Sequence, residues 1–203
     1  MTNTINTIIF DFGDIFINLD KKTTMDGFKN LGLIDWDSDL DQLNIQFEKG
    51  NITKDEFLAG FQKKMPNASI EEIKEVWNTI LADFPLYRLE FLQMLSQKYR
   101  LFLLSNTDSI HIETFEERVG PSFYSDFYQC FEKVYFSFEM GMRKPDAEIY
   151  QALLNTHELQ AKRTLFVDDK KENTDAAAAI GIHVWNLQVG KEDVVDLFEK
   201  DIL

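Results

Sequence analysis

Four short segments of the chain carry side chains that could do chemistry together. Asp11 follows the apolar run Ile8-Ile9-Phe10 and comes two residues before Gly13. Ser105 and Asn106 follow Leu103-Leu104, and Asp168 and Asp169 follow Phe166-Val167. Lys144 stands before Pro145 in Gly141-Met142-Arg143-Lys144-Pro145. Two carboxylate clusters brought to one place repel each other unless a cation lies between them. A small, oxygen-only donor set of that kind suits Mg²⁺, which takes one or two carboxylates and keeps waters or a phosphate. Ser105 and Asn106 offer a hydroxyl, an amide and backbone N–H groups to an anion. Lys144 is a compact cation at the start of a helical stretch (Ile149, Tyr150, Leu153, Leu154), where the helix N-terminus also favours anions. Singly, each has a plainer use: an Asp pair or a Ser-Asn pair caps the next helix, and a lysine is solvated. Together they describe a phosphate handled beside a divalent cation.

The elements that must position these groups are short and β-rich. Apolar runs at 7–12, 100–105, 133–138, 164–167 and 183–187 are too brief for helices and rich in Ile, Val, Phe and Tyr, which predicts five buried strands. Helical stretches between them predict an α/β fold, an open parallel sheet covered on both faces. In such sheets ligands bind beyond the carboxyl ends of the strands, where all four segments fall. Nearly ninety residues separate the first strand from the second, too many for a simple crossover. Thr53–Glu56 and Ser69–Glu72 are capping boxes that open amphipathic runs, Gly50-Asn51 marks a helix stop, and Pro85 opens another helix. The reading is a core of residues 1–17 plus 87–203 and a helical insertion over 18–86. The Phe and Trp stripe of the insertion is expected to be bundle core, with one or two aromatics at the junction facing a substrate.

Composition narrows the function. The 203 residues hold 21 Lys+Arg and 35 Asp+Glu, a formal net charge of −14. That field argues against nucleic acid or an anionic membrane as the main partner. The single Cys130 excludes a disulfide framework and a Cys-rich zinc site, and sits among Phe127, Tyr128 and Phe131 as a small core residue. His111, His157 and His183 lie apart without metal-ligand spacing; His111 is the one near enough to Ser105 to reach a substrate. The N-terminus has no basic region of a signal peptide, and no apolar run approaches the roughly 18 residues of a membrane span, so a soluble, cytoplasmic protein is expected.

The segments FDFGD, LLSNT, SFEMGMRKPDAEIY and LFVDDKKENTDAAAAIG resemble the four ordered motifs of the haloacid dehalogenase-like hydrolase superfamily. The resemblance covers about two thirds of the chain, and its glycine at position 13 is similar to a bacterial branch that includes an α-D-glucose-1-phosphate phosphatase. It implies a Rossmann-like core, an open parallel five-stranded sheet, with a small four-helix cap. Asp11 would be the nucleophile of a phosphatase, forming an aspartyl-phosphate. Asp11, the Gly13 carbonyl, Asp168 and Asp169 would hold Mg²⁺, and Ser105, Asn106 and Lys144 the phosphoryl oxygens. The substrate would be a small phosphorylated metabolite such as a sugar phosphate, and the chain a monomer or weak homodimer.

One departure matters. Most phosphatases of this superfamily carry a second Asp two positions after the nucleophile as general acid and base, and here that position is Gly13. Asp14 is either its replacement or a turn carboxylate. Metal-independent dehalogenases of the superfamily also lack that Asp, so a dehalogenase and a non-catalytic binding protein stay open beside the Mg²⁺-dependent phosphatase. The Asp168-Asp169 pair suits a cation better than a halide.

Overall fold

The run Thr7–Phe10 is buried along its whole length and forms strand β1 of a computed structural model that describes residues 4–200 and 202–203. Strands β2 (Arg100–Ser105), β3 (Lys133–Phe136), β4 (Thr164–Asp168) and β5 (His183–Asn186) complete a five-stranded, wholly parallel sheet in the order β3-β2-β1-β4-β5. Side chains alternate across it as strand geometry demands. Ile8, Phe10, Leu101, Leu103, Leu165 and Val167 enter one hydrophobic cluster, whereas Ile9, Phe102, Leu104 and Phe166 enter the cluster on the other face. Both faces are therefore apolar, which is why these strands read as continuous hydrophobic runs.

Three strands end sooner than their apolar runs, β5 by the single residue Leu187 and β1 and β3 by two each. β1 stops at Phe10 because the chain turns at once: the amides of Phe16 and Ile17 both donate to the Phe12 carbonyl. β3 stops at Phe136, and Ser137–Met140 forms a single helical turn, α7 in chain order, closed by the left-handed Gly141 (φ 68°).

Between β1 and β2 lie α1 (Lys21–Asn30), α2 (Ser38–Glu48), α3 (Lys54–Lys64), α4 (Ile70–Asn78) and α5 (Leu86–Ser96). Both expected capping boxes are present, at Thr53 with Glu56 and at Ser69 with Glu72. Pro85 takes the N-cap of α5 rather than its first helical position. The first four helices share their own aromatic cluster, built on Phe28, Phe57, Phe61 and Trp77. Ile110, from the first turn of α6 (Ser109–Tyr128), is buried in that same cluster, so the helical cap sits on the core through a shared hydrophobic contact. The two chain crossings between cap and core run side by side: the Asn18 amide donates to Asp83, Ala82 returns a bond to Asn18, and Leu19 bridges Leu81 antiparallel. Arg88 holds this junction, donating to the Phe16 carbonyl, Asn18 Oδ1 and Asp193. Helices α8 (Ala147–Thr156) and α9 (Lys171–Ala179) cover the second face of the sheet, against Phe166.

Candidate active site

Strand register alone brings the chemical groups together. Phe10 lies opposite Leu103 on one side and Val167 on the other, so Asp11 emerges level with Leu104 and Asp168, one residue short of Ser105. β1 is the central strand, flanked by β2 and β4, where chain order reverses and an open α/β sheet leaves its crevice. Lys144 reaches this edge from the loop before α8. Its Nζ stands 2.9 Å from Asp11 Oδ1 and 2.7 Å from Asp168 Oδ2, with the side chain wholly buried. Ligating atoms of Asp11, Asp168 and Asp169 lie within 4.8 Å of one another.

The electrostatics follow from burial. Desolvation pushes the Asp11 carboxyl up to about 7, with Asp168 and Asp169 adding to the rise and Lys144 opposing it. Burial and the neighbouring Asp168 also raise Asp169. Burial acts to lower Lys144, but Asp11 and Asp168 outweigh it and hold the ammonium above its usual range. Lys144 touches two of the three carboxylates and Lys21 comes only to 4.0 Å of the third, which leaves the cluster short of positive charge, and every donor is an oxygen. That donor set fits a divalent hard cation such as Mg²⁺.

A chain of hydrogen bonds fixes each member. Tyr150 of α8 donates to the Asn173 carbonyl, and Asn173 Nδ2 donates to both Asp168 oxygens, at 3.0 and 2.9 Å. Asp168 Oδ1 also accepts from the Lys170 amide. Asp168 is thus filled by Lys144, Asn173 and Lys170, whereas the nearest cation to Asp169 is Lys21 at 4.0 Å. Ser137 accepts from the Thr107 amide and donates to the Thr107 carbonyl, tying the loop after β2 to the loop after β3. Asn106 has a different task from the expected phosphate contact of its side chain. Its Nδ2 donates to the Lys144 carbonyl and its Oδ1 accepts from the Lys144 amide, so the amide is committed to holding the lysine.

Asp14 is engaged on both carboxyl oxygens. It adopts a left-handed turn (φ 57°), its Oδ1 accepts from the Leu19 amide and its Oδ2 from Lys21 Nζ at 2.8 Å. A side chain at Gly13 would begin only 2.8 Å from Leu19 Cδ1, so the place of the missing carboxyl is covered by leucine.

Above the strand ends lies a cavity of about 210 Å³, which Gly13, Ser105, Asn106 and Lys170 bring up to the cluster. Trp77, one aromatic of the cap stripe, and His111 line it from the junction with the cap. His111 is held on both nitrogens, by Asp108 at 2.9 Å and by the Trp77 carbonyl at 3.1 Å, and stacks on the Trp77 ring. Burial acts to lower its pKa, but Asp108 and the Trp77 carbonyl outweigh that and raise it. His157 bonds Tyr135, and His183 is exposed. Cys130, expected in the core, is half-buried; burial pushes its thiol up to about 11, which makes it inert.

Sequence reasoning passed over Asn44 and Glu48, which line the cavity from α2. The signal was present: they continue the buried stripe of Leu40 and Phe47 at helical spacing, as polar residues on an inward face. Lys21 at the cap entrance and Arg88 at the junction carried no comparable pattern.

The chain is similar to known proteins over most of its length. The model of the family described as haloacid dehalogenase-like hydrolase matches residues 8–187. A D-ribitol-5-phosphate phosphatase of Bacteroides thetaiotaomicron is 28% identical over 202 residues, covering 93% of this chain and 94% of the relative. The sesquiterpene phosphatase astK of Aspergillus oryzae is 27% identical over 190 residues, covering 90% of this chain and 89% of the relative. A crystal structure of an enzyme of this family from B. thetaiotaomicron, with magnesium and inorganic phosphate, superposes with a TM-score of 0.83 at 34% identity, covering 93% of this chain and 96% of that one. The motif residues, the strand-end cluster and the family match over most of the length lead to one conclusion: this chain belongs to the haloacid dehalogenase-like hydrolase family.

Proposed function

We propose that the chain is a Mg²⁺-dependent phosphatase of small phosphomonoesters, a polyol or sugar phosphate in particular, working through an aspartyl-phosphate. The observation that carries this reading is the buried cluster of Asp11, Asp168, Asp169 and Lys144 beneath a small cavity. At about 210 Å³ it falls below the roughly 300–1,000 Å³ typical of drug-sized ligands. The relative acting on D-ribitol 5-phosphate supports a polyol phosphate. A metal-independent dehalogenase is disfavoured, since three clustered carboxylates would then have only Lys144 in direct contact and Lys21 at 4.0 Å.

Asp11, the Gly13 carbonyl and Asp169 would hold the Mg²⁺, with Asp168 acting chiefly as the support of Lys144. When bound, the ion neutralises phosphate charge and favours approach of an anionic nucleophile. Asp11 attacks phosphorus through one carboxylate oxygen; the P–O bond to the substrate alcohol breaks, and that oxygen leaves with the bonding pair and takes a proton from solvent water. Lys144 and Ser105 hold the equatorial phosphoryl oxygens, where charge builds in the transition state. Water then opens the acyl phosphate, returning the Asp11 carboxylate and releasing inorganic phosphate. The test is phosphate release from p-nitrophenyl phosphate and a panel of polyol and sugar phosphates, with Mg²⁺ and with EDTA. Turnover that is indifferent to EDTA, or absent from every ester, would remove this reading.

A further inference from the structure

One wall of the cavity is not accounted for by phosphate chemistry. It is α2, whose buried stripe of Leu40 and Phe47 continues into two polar side chains, Asn44 and Glu48, that face the cavity. Asn44 Oδ1 is buried and, among the described residues, has no hydrogen-bond partner. Its Nδ2 makes only a long, 3.4 Å contact to Glu48 Oε1. Glu48 Oε2 takes both Nε (2.9 Å) and Nη2 (2.8 Å) of Arg143, so Oε1 is left with that single long contact among the described residues. Two acceptors thus stand side by side, short of donors. Leaving a buried acceptor such as Asn44 Oδ1 unpaired is unfavourable, and a molecule that enters the cavity lined by Asn44 and Glu48 can supply the donor.

We propose that Asn44 and Glu48 form a hydroxyl-accepting pair that selects polyhydroxylated phosphate esters. The proposal rests on the reading of the strand-end cluster as a phosphatase site. Arg143 precedes Lys144, so the carboxylate that it grips is tied to the same loop as the ammonium that would hold the phosphate. An ester seated by its phosphate therefore presents its carbon chain to a wall in fixed register with that end. Hydroxyls donate to Asn44 Oδ1 and Glu48 Oε1; Leu19, Ile80 and Leu81 cover the C–H edge. An alkyl ester of equal length offers no donor and leaves both acceptors dry, the arrangement that gives a site its strongest rejection of a deoxygenated analogue. An ester ending in a second anion meets the Glu48 carboxylate.

The experiment compares a pentitol 5-phosphate with n-pentyl phosphate, both esters of primary alcohols, on the Mg²⁺-loaded protein. The expected wild-type preference in kcat/KM is about 100-fold or more. Asn44→Leu should cut that ratio at least tenfold, mostly through KM for the pentitol ester, and Glu48→Gln should cut it in the same direction. Glu48→Gln also loosens Arg143; should it misfold by circular dichroism, Asn44→Leu alone decides the matter. Equal kcat/KM for the two esters in the wild type, or an undiminished ratio in Asn44→Leu, overturns the proposal. Calorimetry on Asp11→Asn protein separates it from the phosphatase reading. A pentitol ester that binds there more tightly than the pentyl ester, with the gap closed by adding Asn44→Leu, supports the acceptor pair even if no ester is turned over. Equal binding defeats the pair even if phosphate is released.

Discussion

The two sides of the cavity are held in opposite ways. On the core side Lys144 lies between Asp11 and Asp168, and Asp168 also receives Asn173 and Lys170; Asp169 alone keeps only a distant cation, Lys21 at 4.0 Å. On the cap side Asn44 Oδ1 has none among the described residues, and Glu48 is filled on one oxygen only. The difference follows from what each side must do. Groups that stabilise developing charge work best when fixed before the reaction. Groups that choose among substrates discriminate best when the correct ligand completes them and the wrong one does not. Core chemistry is built in, and cap recognition is left for the substrate to finish.

The sharpest break in the core side is Asp11→Asn. It keeps volume and a Lys144 hydrogen-bond acceptor but loses the nucleophile, so phosphate release should fall by on the order of 10⁴-fold or more. The melting temperature should stay close to wild type. Normal turnover by that variant, with contamination excluded, would end the aspartyl-phosphate mechanism.

Chelation and loading test the same cluster without a mutation. Mg²⁺ binding to the folded chain alone should raise the melting temperature in a concentration-dependent way, worth about 2.7 kcal/mol at a hundred times the dissociation constant. Asp169→Asn should lose most of that response. Next in size, Lys144→Met strands two buried carboxylates, Asp11 and Asp168. Breaking a buried pair from one side typically costs about 3–5 kcal/mol, so denaturant midpoints should drop sharply together with activity. A Lys144→Met protein as stable as wild type would show that these carboxylates do not depend on the lysine.

The junction between the two sides carries a pH-dependent contribution. His111 is raised above 6.5 and Asp108 is lowered below 3.8; in each, burial opposes and the partner outweighs it where the shift is favourable. The histidine contributes stability that is complete below about pH 6.5 and is lost as pH rises through its folded value. The aspartate contributes stability present above about pH 3.8 and lost on acidification. The pair therefore contributes most between these limits. The melting-temperature gap between wild type and His111→Gln should be widest near pH 5–6 and narrow towards pH 9. A gap that widens on the alkaline side would contradict the ion pair.

The same contrast explains what could be read from the sequence. Asp11 and Asp168 sit at the ends of apolar strands, and parallel register brings strand ends together whatever the surrounding detail; Lys144 comes from the loop before α8, eight residues beyond the end of β3. The capping boxes at Thr53 and Ser69 are equally local and equally legible. Asn106 was harder to read. Its type suggests an anion contact, but its hydrogen bonds go to the backbone of a residue 38 positions away. Arg88 joins three segments that only the fold brings close. Asn44 and Glu48 were legible in principle, as polar residues on a buried stripe, but their meaning depends on which surface that stripe meets.

The smallest expected effect concerns the acid missing at position 13. Asp14 Oδ1 is taken by the Leu19 amide and Oδ2 by Lys21, and Leu19 itself covers Gly13. Asn at position 14 tolerates a left-handed backbone and can keep the bond to Leu19. It loses the charge of the ion pair between the buried Asp14 and the half-exposed Lys21. Asp14→Asn should therefore change kcat by no more than about threefold, against the roughly 10²–10⁴-fold expected for a working general acid. The phosphorylation step should then depend steeply on leaving-group acidity, with anomeric 1-phosphates ahead of 6-phosphates of the same sugar and aryl esters ahead of both where the cap admits them. Rapid-quench measurement over esters of similar size gives that slope. Introducing the acid, as Gly13→Asp with Leu19→Ala to clear the 2.8 Å approach, should flatten it. A shallow slope in the wild type that steepens in Asp14→Asn would instead make Asp14 the proton donor, and the core side would then hold one catalytic group that its hydrogen bonds conceal.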